Sequence, residues 1–509
     1  MSSSSAIKVA ANFGRLWSRC HESFPSDLRR IFSVSGPAAT TYLQNLVTCD
    51  LTQLPSAPRP EEESKEVDKD GNFKPNREQV EFSDRLRAAC FLDPKGRVVT
   101  DSLLWKVSEN QYYIDCPGSA ADELFQHLKQ YKLRRTKVDI EDATATITSH
   151  VVFGTLNASG SPPGFLSGMD PRHPSLGMRI LGLPPEHDEE ASSVDDRHAA
   201  FAEMMSTTFP PSPGNYELVR RLSGVAEGVE LHGRVAGECN QEFLNAVSFH
   251  KGCYIGQELT ARVQHTGVLR KRIMPLLLLD TNTQVPHPWA LASSLQEGRA
   301  NKNFTASELK KLPSRLPRFS AVTAGHMVAI TTGAALMELA DDKNHEDEAT
   351  RDEILRARLR ADELLERIES SCKEGAKIID MKQNIGKSIG QIVSKPVKGT
   401  NVVLALMRLE STGLITGKFW SKTNKVKIGD SEHLFRYLPY LPLWWPEFDA
   451  RTGKARAEYG KEEDDDSFYE AEAREDTGER TDERKSKFST LQIEELALSD
   501  DDKENQLSK

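Results

Sequence analysis

The strongest constraint on the fold is a short turn between two strand-forming stretches. Residues 87–92 and residues 98–107 are both rich in apolar side chains, and Asp93-Pro94-Lys95-Gly96 separates them. Proline at the second position and glycine at the fourth suit a tight β-turn. Two strands joined by such a turn pair antiparallel, so the sequence predicts a β-hairpin over residues 87–107.

The segments on either side of the hairpin predict a mixed domain. The predicted elements are strands at residues 28–34, 112–115 and 138–156 and helices at residues 38–46 and 120–131. The second helix is amphipathic, because Leu124, Phe125 and Leu128 recur at helical spacing. This order of strands and helices is typical of an α+β domain built on an antiparallel sheet.

After residue 272 the chain changes to short strands separated by turns, which predicts a small β-barrel over residues 273–450. The predicted strands are residues 272–279, 324–331, 387–394, 401–409 and 414–420. A charged helical insertion at residues 335–385 interrupts them. Its narrow apolar stripe favours a helix that packs by one edge and is otherwise solvated, although contact with a partner is an alternative.

Several stretches are too polar to belong to a core. Residues 55–76 and 184–196 have the composition of solvated insertions, and residues 159–174 form a loop rich in glycine and proline. Residues 451–509 are acidic and rich in serine, which predicts a disordered tail.

The N-terminal stretch has the composition of a targeting segment. Residues 1–21 contain Lys8, Arg15 and Arg19 but no acidic residue, which favours a mitochondrial transit peptide over a disordered cytosolic start. The predicted organisation is a transit peptide at 1–21, a first α+β part at 24–150, a second at 151–272, the barrel at 273–450 and the tail at 451–509.

Charge and cysteine content exclude several classes of function. The net charge is −10 and no long basic run occurs, which argues against a nucleic-acid binder, although a local basic patch is possible, for example near Arg270, Lys271 and Arg272. No uninterrupted run of about 18 apolar residues occurs, so no membrane span is predicted. The seven cysteines are scattered and odd in number, which argues against a disulfide scaffold and against a self-sufficient zinc site.

The segment around Cys253 carries the clearest chemical pattern. Lys251 and His250 precede the thiol and Gly252 and Gly256 flank it, while residues 257–263 have helix-forming composition. A thiol on a loop before a helix, near cations, is stabilised as the thiolate. The structural alternative is a small buried cysteine in a tight turn. A cysteine protease is not supported by the order of the chain, although His150 and His265 are present.

These residues resemble a known family. The segment Lys251-Gly252-Cys253-Tyr254-Ile255-Gly256-Gln257-Glu258 resembles the signature of the YgfZ-type proteins. These proteins are folate-binding-fold relatives of the glycine-cleavage T protein. The resemblance extends to residues 29–48, 91–101, 390–393 and 404–408, and to Arg220 with residues 224–228. It covers most of residues 24–440, interrupted by the polar insertions.

The resemblance implies a GcvT/YgfZ-like folate-binding fold of antiparallel-sheet α+β domains with a C-terminal β-barrel. It implies an assembly factor of the mitochondrial matrix, without classical turnover, that matures [4Fe-4S] enzymes of the aconitase and lipoate-synthase types. The implied partners are A-type iron–sulfur carrier proteins and these client enzymes. The implied ligands are tetrahydrofolate and a transient iron–sulfur cluster that is shared with the partner, so that each protein supplies part of the ligands.

The resemblance also implies roles for individual residues. Cys253 is the functional thiol or a shared cluster ligand, and Lys251 supports it. The implied cofactor-binding residues are Arg220, Glu227, Gly252, Tyr254, Gly256, Gln257 and Glu258.

Two other functions stay open at this point. A tetrahydrofolate-dependent aminomethyltransferase or demethylase needs an acid–base group, for which Asp101 and Glu227 are candidates by residue type alone. A purely structural protein with a degenerate pocket is the third reading. An open folate-sized cavity beside Cys253 would count against it, and a filled one would favour it.

Overall fold

The structure is a computed structural model, and it describes most of the chain between residues 19 and 455. The described residues are 19–52, 62–67, 73–76, 83–153, 164–184, 194–206, 209–265, 267–281, 318–319, 321–332, 348–381, 388–412, 425–446, 448–449 and 451–455. The chain divides into two units, Met1–Arg456 and Ala457–Lys509, and every described residue belongs to the first. The disordered tail predicted at 451–509 lies outside the described residues from 456 onwards. Its start was predicted wrongly, because Lys454–Ala455 is a strand that pairs with Phe448–Asp449.

The elements follow one another in a strand-rich order. The strands of the α+β part are β1 Cys20–Phe24, β2 Arg29–Ser35, β3 Glu62–Val67, β4 Phe73–Asn76, β5 Leu86–Leu92, β6 Val98–Ser108, β7 Gln111–Pro117, β8 Asp139–Asp142, β9 Thr148–Phe153, β10 Phe165–Met169 and β11 Met178–Gly182. The later strands are β12 Lys271–Asp280, β13 Arg318–Phe319, β14 Lys377–Asp380, β15 Ser388–Ile392, β16 Val402–Arg408, β17 Lys425–Ile428, β18 Leu434–Pro439, β19 Leu441–Pro442, β20 Phe448–Asp449 and β21 Lys454–Ala455. The α-helices are α1 Ala39–Gln44, α2 Ala121–Tyr131, α3 Val194–Ser206, α4 Asn215–Leu222, α5 Gln257–His265, α6 Ala321–Thr331 and α7 Glu348–Ser371.

The first sheet contains the predicted hairpin. Its strand order is β5-β6-β7-β2-β8, and β5 pairs antiparallel with β6 from Leu86 opposite Trp105 to Leu92 opposite Val98. Helix α2 buries Leu124 and Leu128 in the core that also holds Phe32 of β2. The predicted antiparallel α+β class is confirmed, because apolar residues alternate along paired strands and cover one helix face.

The second sheet, β1-β9-β11-β10, corrects three predictions. Cys20 and His21, which the transit-peptide prediction included, lie in β1 and pair with Phe153 and Val152 of β9; residues 1–18 lie outside the described residues. The predicted loop at 159–174 contains β10, which pairs with β11 despite its glycines. The predicted polar stretch at 184–196 ends in α3, whose Phe201 is buried against β9 and β11.

The predicted barrel is confirmed as a closed six-stranded barrel, in the order β12-β16-β15-β14-β17-β18. Strand β12 pairs with β16 over its first half and with β18 over its second half, which closes the ring. One face of its sheet is apolar, since Leu276, Val403 and Phe435 share that face and are all fully buried. Full closure leaves no strand edge unpaired, which a sheet of short strands needs to avoid association with other chains.

Elements around the barrel differ from the predictions in two places. Residues 324–331 were predicted as a strand but lie in α6, where Ala324, Met327 and Val328 are fully buried. An apolar run of this length does not distinguish a strand from a buried helix. The polar insertion at 55–76 contains the paired strands β3 and β4.

The remaining predictions have mixed outcomes. The charged insertion predicted at 335–385 is helical in α7, but its end was predicted wrongly, because β14 at Lys377–Asp380 is a strand of the barrel. The strand predicted at 414–420 lies outside the described residues. Among the described residues, no helix combines the length and apolar composition needed to cross a membrane.

Arg272 joins the barrel to the segment that precedes the signature. Although it was predicted in a basic cluster, its side chain on β12 is fully buried. Its Nη1 atom donates to Gly237 O at 2.7 Å and to Asn240 Oδ1 at 3.0 Å. Its Nη2 atom donates to Glu242 Oε1 at 2.5 Å, and Nε donates to Gly453 O at 3.1 Å. The planar guanidinium thus satisfies several acceptors at once, which an ammonium group does not reproduce.

We expect Arg272→Lys to lower the free energy of unfolding by about 2–4 kcal/mol, because buried carbonyls and a carboxylate lose their donors. Urea denaturation followed by circular dichroism measures the change. The exposed Arg451 supplies the matched control: Arg451→Lys should shift stability by no more than about 0.5 kcal/mol. Equal stability of both variants would contradict the role assigned to Arg272.

Candidate functional site

Cys253 lies on an irregular segment that leads into α5. The helix begins at Gln257, four residues later, so the predicted position of the thiol on a loop before a helix is confirmed. All seven cysteines are free thiols, and Cys253 is exposed whereas the other six are buried. The structural alternative of a small buried cysteine therefore does not apply to this residue.

Lys251 fixes the start of this segment. Its Nζ atom donates to the backbone carbonyls of Gln44 at 2.7 Å, Val47 at 2.6 Å and Cys49 at 2.8 Å. An ammonium group has three donor hydrogens, so these three acceptors use all of them. Burial lowers the pKa of Lys251 to about 8, with Cys49 and Asp50 opposing the shift. The role predicted for Lys251 as a cation for the thiolate stays a prediction, while its observed role is to hold the segment at the end of α1.

The other side of Cys253 is also anchored. The amide of Ile255 donates to the carbonyl of Asn45 at 3.0 Å, so both flanks of the thiol bind the same end of α1. Tyr254 is buried, and Lys251 Nζ lies 4.9 Å from the centre of its ring. Gln257 accepts from the Tyr254 amide at 3.3 Å, whereas Glu258 is exposed. The signature residues thus hold the loop in shape and leave the thiol on the surface.

Two glycines join the signature to the tip of the β5–β6 hairpin. Gly256 has φ +79°, and a Cβ there would lie 2.5 Å from the carbonyl oxygen of Asp93 and 2.9 Å from Gly96 Cα. Gly96 has φ +74°, and a Cβ there would lie 2.5 Å from Leu259 Cβ. Positive φ and such close approach both require glycine. Gly252 differs, because a Cβ there would meet no atom within 4 Å.

A second cluster, which we call the ionic centre, is buried between the two sheets and α4. Glu227 lies in its middle and accepts from Arg172 at 2.5 Å and from Arg29 at 3.3 Å. Tyr216 donates its hydroxyl hydrogen to the same carboxylate, and Arg220 Nε lies 3.8 Å from it. One carboxylate therefore holds side chains from β2, from the segment after β10 and from α4.

Further ion pairs extend the ionic centre. Arg172 donates to Asp170 at 2.8 Å, and Arg179 of β11 donates to the same carboxylate at 3.1 Å. Arg29 donates to Asp115 of β7 at 2.6 Å. The sequence did not predict six members of the ionic centre as site residues. They are Arg29, Asp115, Asp170, Arg172, Arg179 and Tyr216. For Arg29, Asp115 and Arg179 the available signal was a charged residue within a strand, whereas Asp170 and Arg172 lie in a connecting segment that gave no such signal.

The ionic centre separates the pKa values of its two candidate acid–base groups. Burial raises the pKa of Asp101 to about 6, with Glu227 adding to the shift and Arg172 opposing it. Burial acts in the same direction on Glu227, but Arg172, Arg29 and Arg220 outweigh it and hold its pKa well below the usual range. Glu227 is therefore a permanent anion, whereas Asp101 takes up a proton near pH 6.

Tetrahydrofolate does not fit the ionic centre as these residues are arranged. Asp101 and Glu227 are only 4% and 8% exposed. The amide of Gly228 donates to Asp101 at 2.8 Å, and Arg172 contacts Asp101 at 3.4 Å as well as Glu227. Groups of this chain therefore satisfy both carboxylates, and a pterin ring between them would have to displace the Arg172 guanidinium. The degenerate-pocket reading depends on a cavity beside Cys253, and it stays a prediction.

The predicted site residues thus divide into two places. Arg220 and Glu227 belong to the ionic centre, and the residues from Lys251 to Glu258 belong to the signature segment. Strand β6 connects them, since the hairpin tip at Gly96 contacts Gly256 and Asp101 follows five residues later. At about 3.3 Å per residue, that separation is roughly 16 Å. The prediction that all of them bind one cofactor stays untested.

Other potential ligand sites lie away from the signature. In the part of the chain that the structure describes, no group of three or more histidine, cysteine or acidic side chains is placed to hold a metal ion. A groove of about 820 Å³ is lined by Arg30, Asp142 and His198, among others, and includes neither Cys253 nor Asp101. Cys253 is thus an exposed thiol without a local set of metal ligands.

Several curated proteins similar to this chain share one description, "Iron-sulfur cluster assembly factor IBA57 homolog, mitochondrial". The one from Pyricularia oryzae is 31% identical over 264 residues, which are 50% of this chain and 56% of the relative. The one from Mycosarcoma maydis is 29% identical over 344 residues, which are 64% of this chain and 75% of the relative. The chain spans about half the length of several of these relatives, for example 54% of the one from Chaetomium globosum.

Family models and solved structures give no further support beyond that of the curated relatives. No family model matches the chain. A crystal structure of the glycine cleavage system aminomethyltransferase T from Bartonella henselae aligns with a TM-score of 0.48 and 9% identity, over 87% of this chain and 91% of that one. The family resemblance predicted from the signature is confirmed by the curated relatives.

We expect Gly256→Ala to lower the free energy of unfolding by about 1–3 kcal/mol, because its backbone conformation is unfavourable for alanine and a Cβ would clash with the hairpin tip. Urea denaturation measures the loss. Gly252→Ala, directly before the thiol, is the matched control, and we expect a change within about 0.5 kcal/mol because a Cβ there meets no atom within 4 Å. A larger loss in the control than in Gly256→Ala would contradict the assigned contact.

Proposed function

We infer that this chain belongs to the family of the iron–sulfur cluster assembly factors to which it is similar, and we propose that it assists iron–sulfur cluster assembly in mitochondria. The similarity to relatives with this description supports the proposal. The composition of residues 1–18 agrees with import into the organelle, and the matrix is the compartment that we propose.

The observation that carries the proposed mechanism is the exposure of Cys253 alone among seven cysteines. Iron–sulfur clusters are held by several ligands, most often thiolates. A chain that offers one exposed thiol, with no group of metal ligands around it among the described residues, suits a cluster that is completed by another protein. We therefore assign to Cys253 the role of one ligand to a shared cluster.

The proposed step is a ligand exchange without electron transfer. The thiol of Cys253 releases its proton, and its sulfur forms a bond to a cluster iron. The bond between that iron and a thiolate of the carrier breaks, and the released thiolate takes up a proton. The cluster is cargo in this step, and the chain returns to its starting state when the cluster leaves, so no classical turnover is involved.

The proposed partners follow from this step. A-type iron–sulfur carrier proteins would supply the cluster, and [4Fe-4S] enzymes of the aconitase and lipoate-synthase types would receive it. In cells, Cys253→Ser should therefore lower the activity of both client types, while the amount of the variant protein stays unchanged.

The central experiment mixes the purified protein anaerobically with a cluster-loaded A-type carrier. We expect a visible absorbance band that requires both proteins, and we expect Cys253→Ser to weaken cluster binding by at least about tenfold, as loss of a ligand costs no less than loss of a supporting residue. Absorbance titration measures the change.

Cys372→Ser is the control for that experiment, because Cys372 is a buried thiol beside the barrel. It should keep the shared band. Full cluster binding by Cys253→Ser, with the control behaving normally, would remove the thiol from the mechanism.

A tetrahydrofolate-dependent aminomethyltransferase or demethylase is the alternative function. Its acid–base group would be Asp101 or Glu227, and both are enclosed by groups of this chain in the ionic centre. Asp101 has a pKa of about 6, which suits proton transfer, but Arg172 occupies the space beside it. The geometry therefore supports the assembly role over folate chemistry.

We expect no saturable heat of binding when tetrahydrofolate is titrated into the purified protein up to about 1 mM, because Arg172 already binds both Asp101 and Glu227. Isothermal titration calorimetry measures this, with a folate-dependent aminomethyltransferase as positive control. Tight binding, or turnover of a methyl or aminomethyl donor, would restore the enzyme reading.

A further inference from the structure

The surface around Cys253 carries positive charge from a second segment of the chain. Lys95 and Arg97 stand on the tip of the β5–β6 hairpin, on either side of Gly96, and both are exposed. On the signature segment, Phe249 is 37% exposed and His250 is exposed next to it. We call these four residues together with Cys253 the thiol face.

The two segments of the thiol face are held together by the glycine contact. Gly96 Cα lies 2.9 Å from the position of a Cβ on Gly256. Consecutive Cα atoms are about 3.8 Å apart, so Cys253 is within about 11 Å of Gly256. Lys95 and Arg97 adjoin Gly96, so their Cα atoms lie within about 20 Å of that of Cys253, a distance that one interface of about 800 Å² per partner spans.

The acidic groups of this face do not cancel its charge. The carboxylate of Asp93 is turned to its own backbone and accepts from the amides of Lys95 at 2.9 Å and Arg97 at 2.8 Å. Glu258 is exposed in the first turn of α5. Arg262 is exposed one turn later on the same helix. Counting Lys95, Arg97 and Arg262 against Asp93 and Glu258 gives three positive and two negative charges, so these groups together keep a formal charge of +1.

The charge of the thiol face is opposite to that of the whole protein. The chain carries a net charge of −10, which repels an acidic partner from most of its surface. A cluster held by thiolates is itself anionic, because each ligand adds a negative charge. A positive face on a negative protein would thus orient an anionic partner with its cluster towards Cys253.

We propose that Lys95 and Arg97 form, with Phe249, a docking surface for a cluster-carrying protein whose surface beside its cluster is acidic. This rests on the proposed function and adds the chemistry of the partner to it. The exposed aromatic ring supplies the apolar anchor, and the two cations supply the charged rim, which is the usual division within an interface. The cations raise the association rate, and Cys253 acts after docking.

The test compares the rates at which full-length variants associate with a cluster-loaded A-type carrier, measured by stopped-flow at about 50 mM and about 300 mM salt. We expect the double variant Lys95→Glu, Arg97→Glu to associate at least about tenfold more slowly at low salt. The difference should shrink at high salt. The variant Lys95→Gln, Arg97→Gln should give an intermediate rate.

Arg134→Glu, Arg135→Glu is the matched control, because both residues are exposed on the loop after α2. It should associate at the wild-type rate at both salt concentrations. Equal rates for the Lys95, Arg97 variant and this control, with normal wild-type association, would overturn the docking surface and leave the proposed function intact.

Two further outcomes are informative. No association of the wild-type protein with the carrier would overturn the proposed function and the docking surface together. Binding of a short single-stranded oligonucleotide by the wild type, lost in the Lys95, Arg97 variant, would assign the cations to nucleic acid and overturn the proposal. Circular dichroism and thermal unfolding of each variant confirm that the rates refer to folded protein.

Discussion

The arrangement of the two sheets and α4 depends on the ion pairs and the hydrogen bond that the Glu227 carboxylate accepts. This carboxylate is bound by Arg172 from the segment after β10, by Arg29 from β2 and by Tyr216 from α4. Each of these groups is too deeply buried to be solvated by water. Removing one member would leave an uncompensated charge in a medium of low polarity, which costs several kcal/mol. The ionic centre therefore fixes how the segments meet, whether or not it takes part in chemistry.

The ionic centre and the signature segment have different physical characters, and β6 passes between them. At one end of the strand, Asp101 is enclosed by groups of its own chain. At the other end, the hairpin tip leaves Lys95 and Arg97 exposed and supports the loop of Cys253 through Gly256. The buried contacts around Asp101 make that end of the strand rigid. The exposed hairpin tip at the other end lies beside the loop that carries the Cys253 thiol. A folate enzyme would need the opposite arrangement, with the open site around the carboxylates.

Short-range patterns account for the parts of the fold that could be predicted. The hairpin, the helix after Ala120, the charged helix α7 and the loop before Gln257 all follow from turn residues and periodicity within a few residues. The errors arose where tertiary packing decides. The apolar run of α6 is compatible with a strand until its neighbours are known, and β10 is a strand only because β11 pairs with it. The ionic centre was missed for the same reason, since it joins residues as far apart as Arg29 and Glu227.

The three hydrogen bonds of Lys251 have a consequence for recognition. Together with the bond from Ile255 to Asn45, they fix the backbone on both sides of Cys253 to the end of one short helix. A partner that binds this loop does not have to restrict its motion, because the fold has already done so. Ordering a free loop on association costs conformational entropy for each residue that is immobilised. In the proposed mechanism the buried lysine would make the thiol a preorganised ligand, so that a brief and weak encounter between two proteins would position the sulfur accurately.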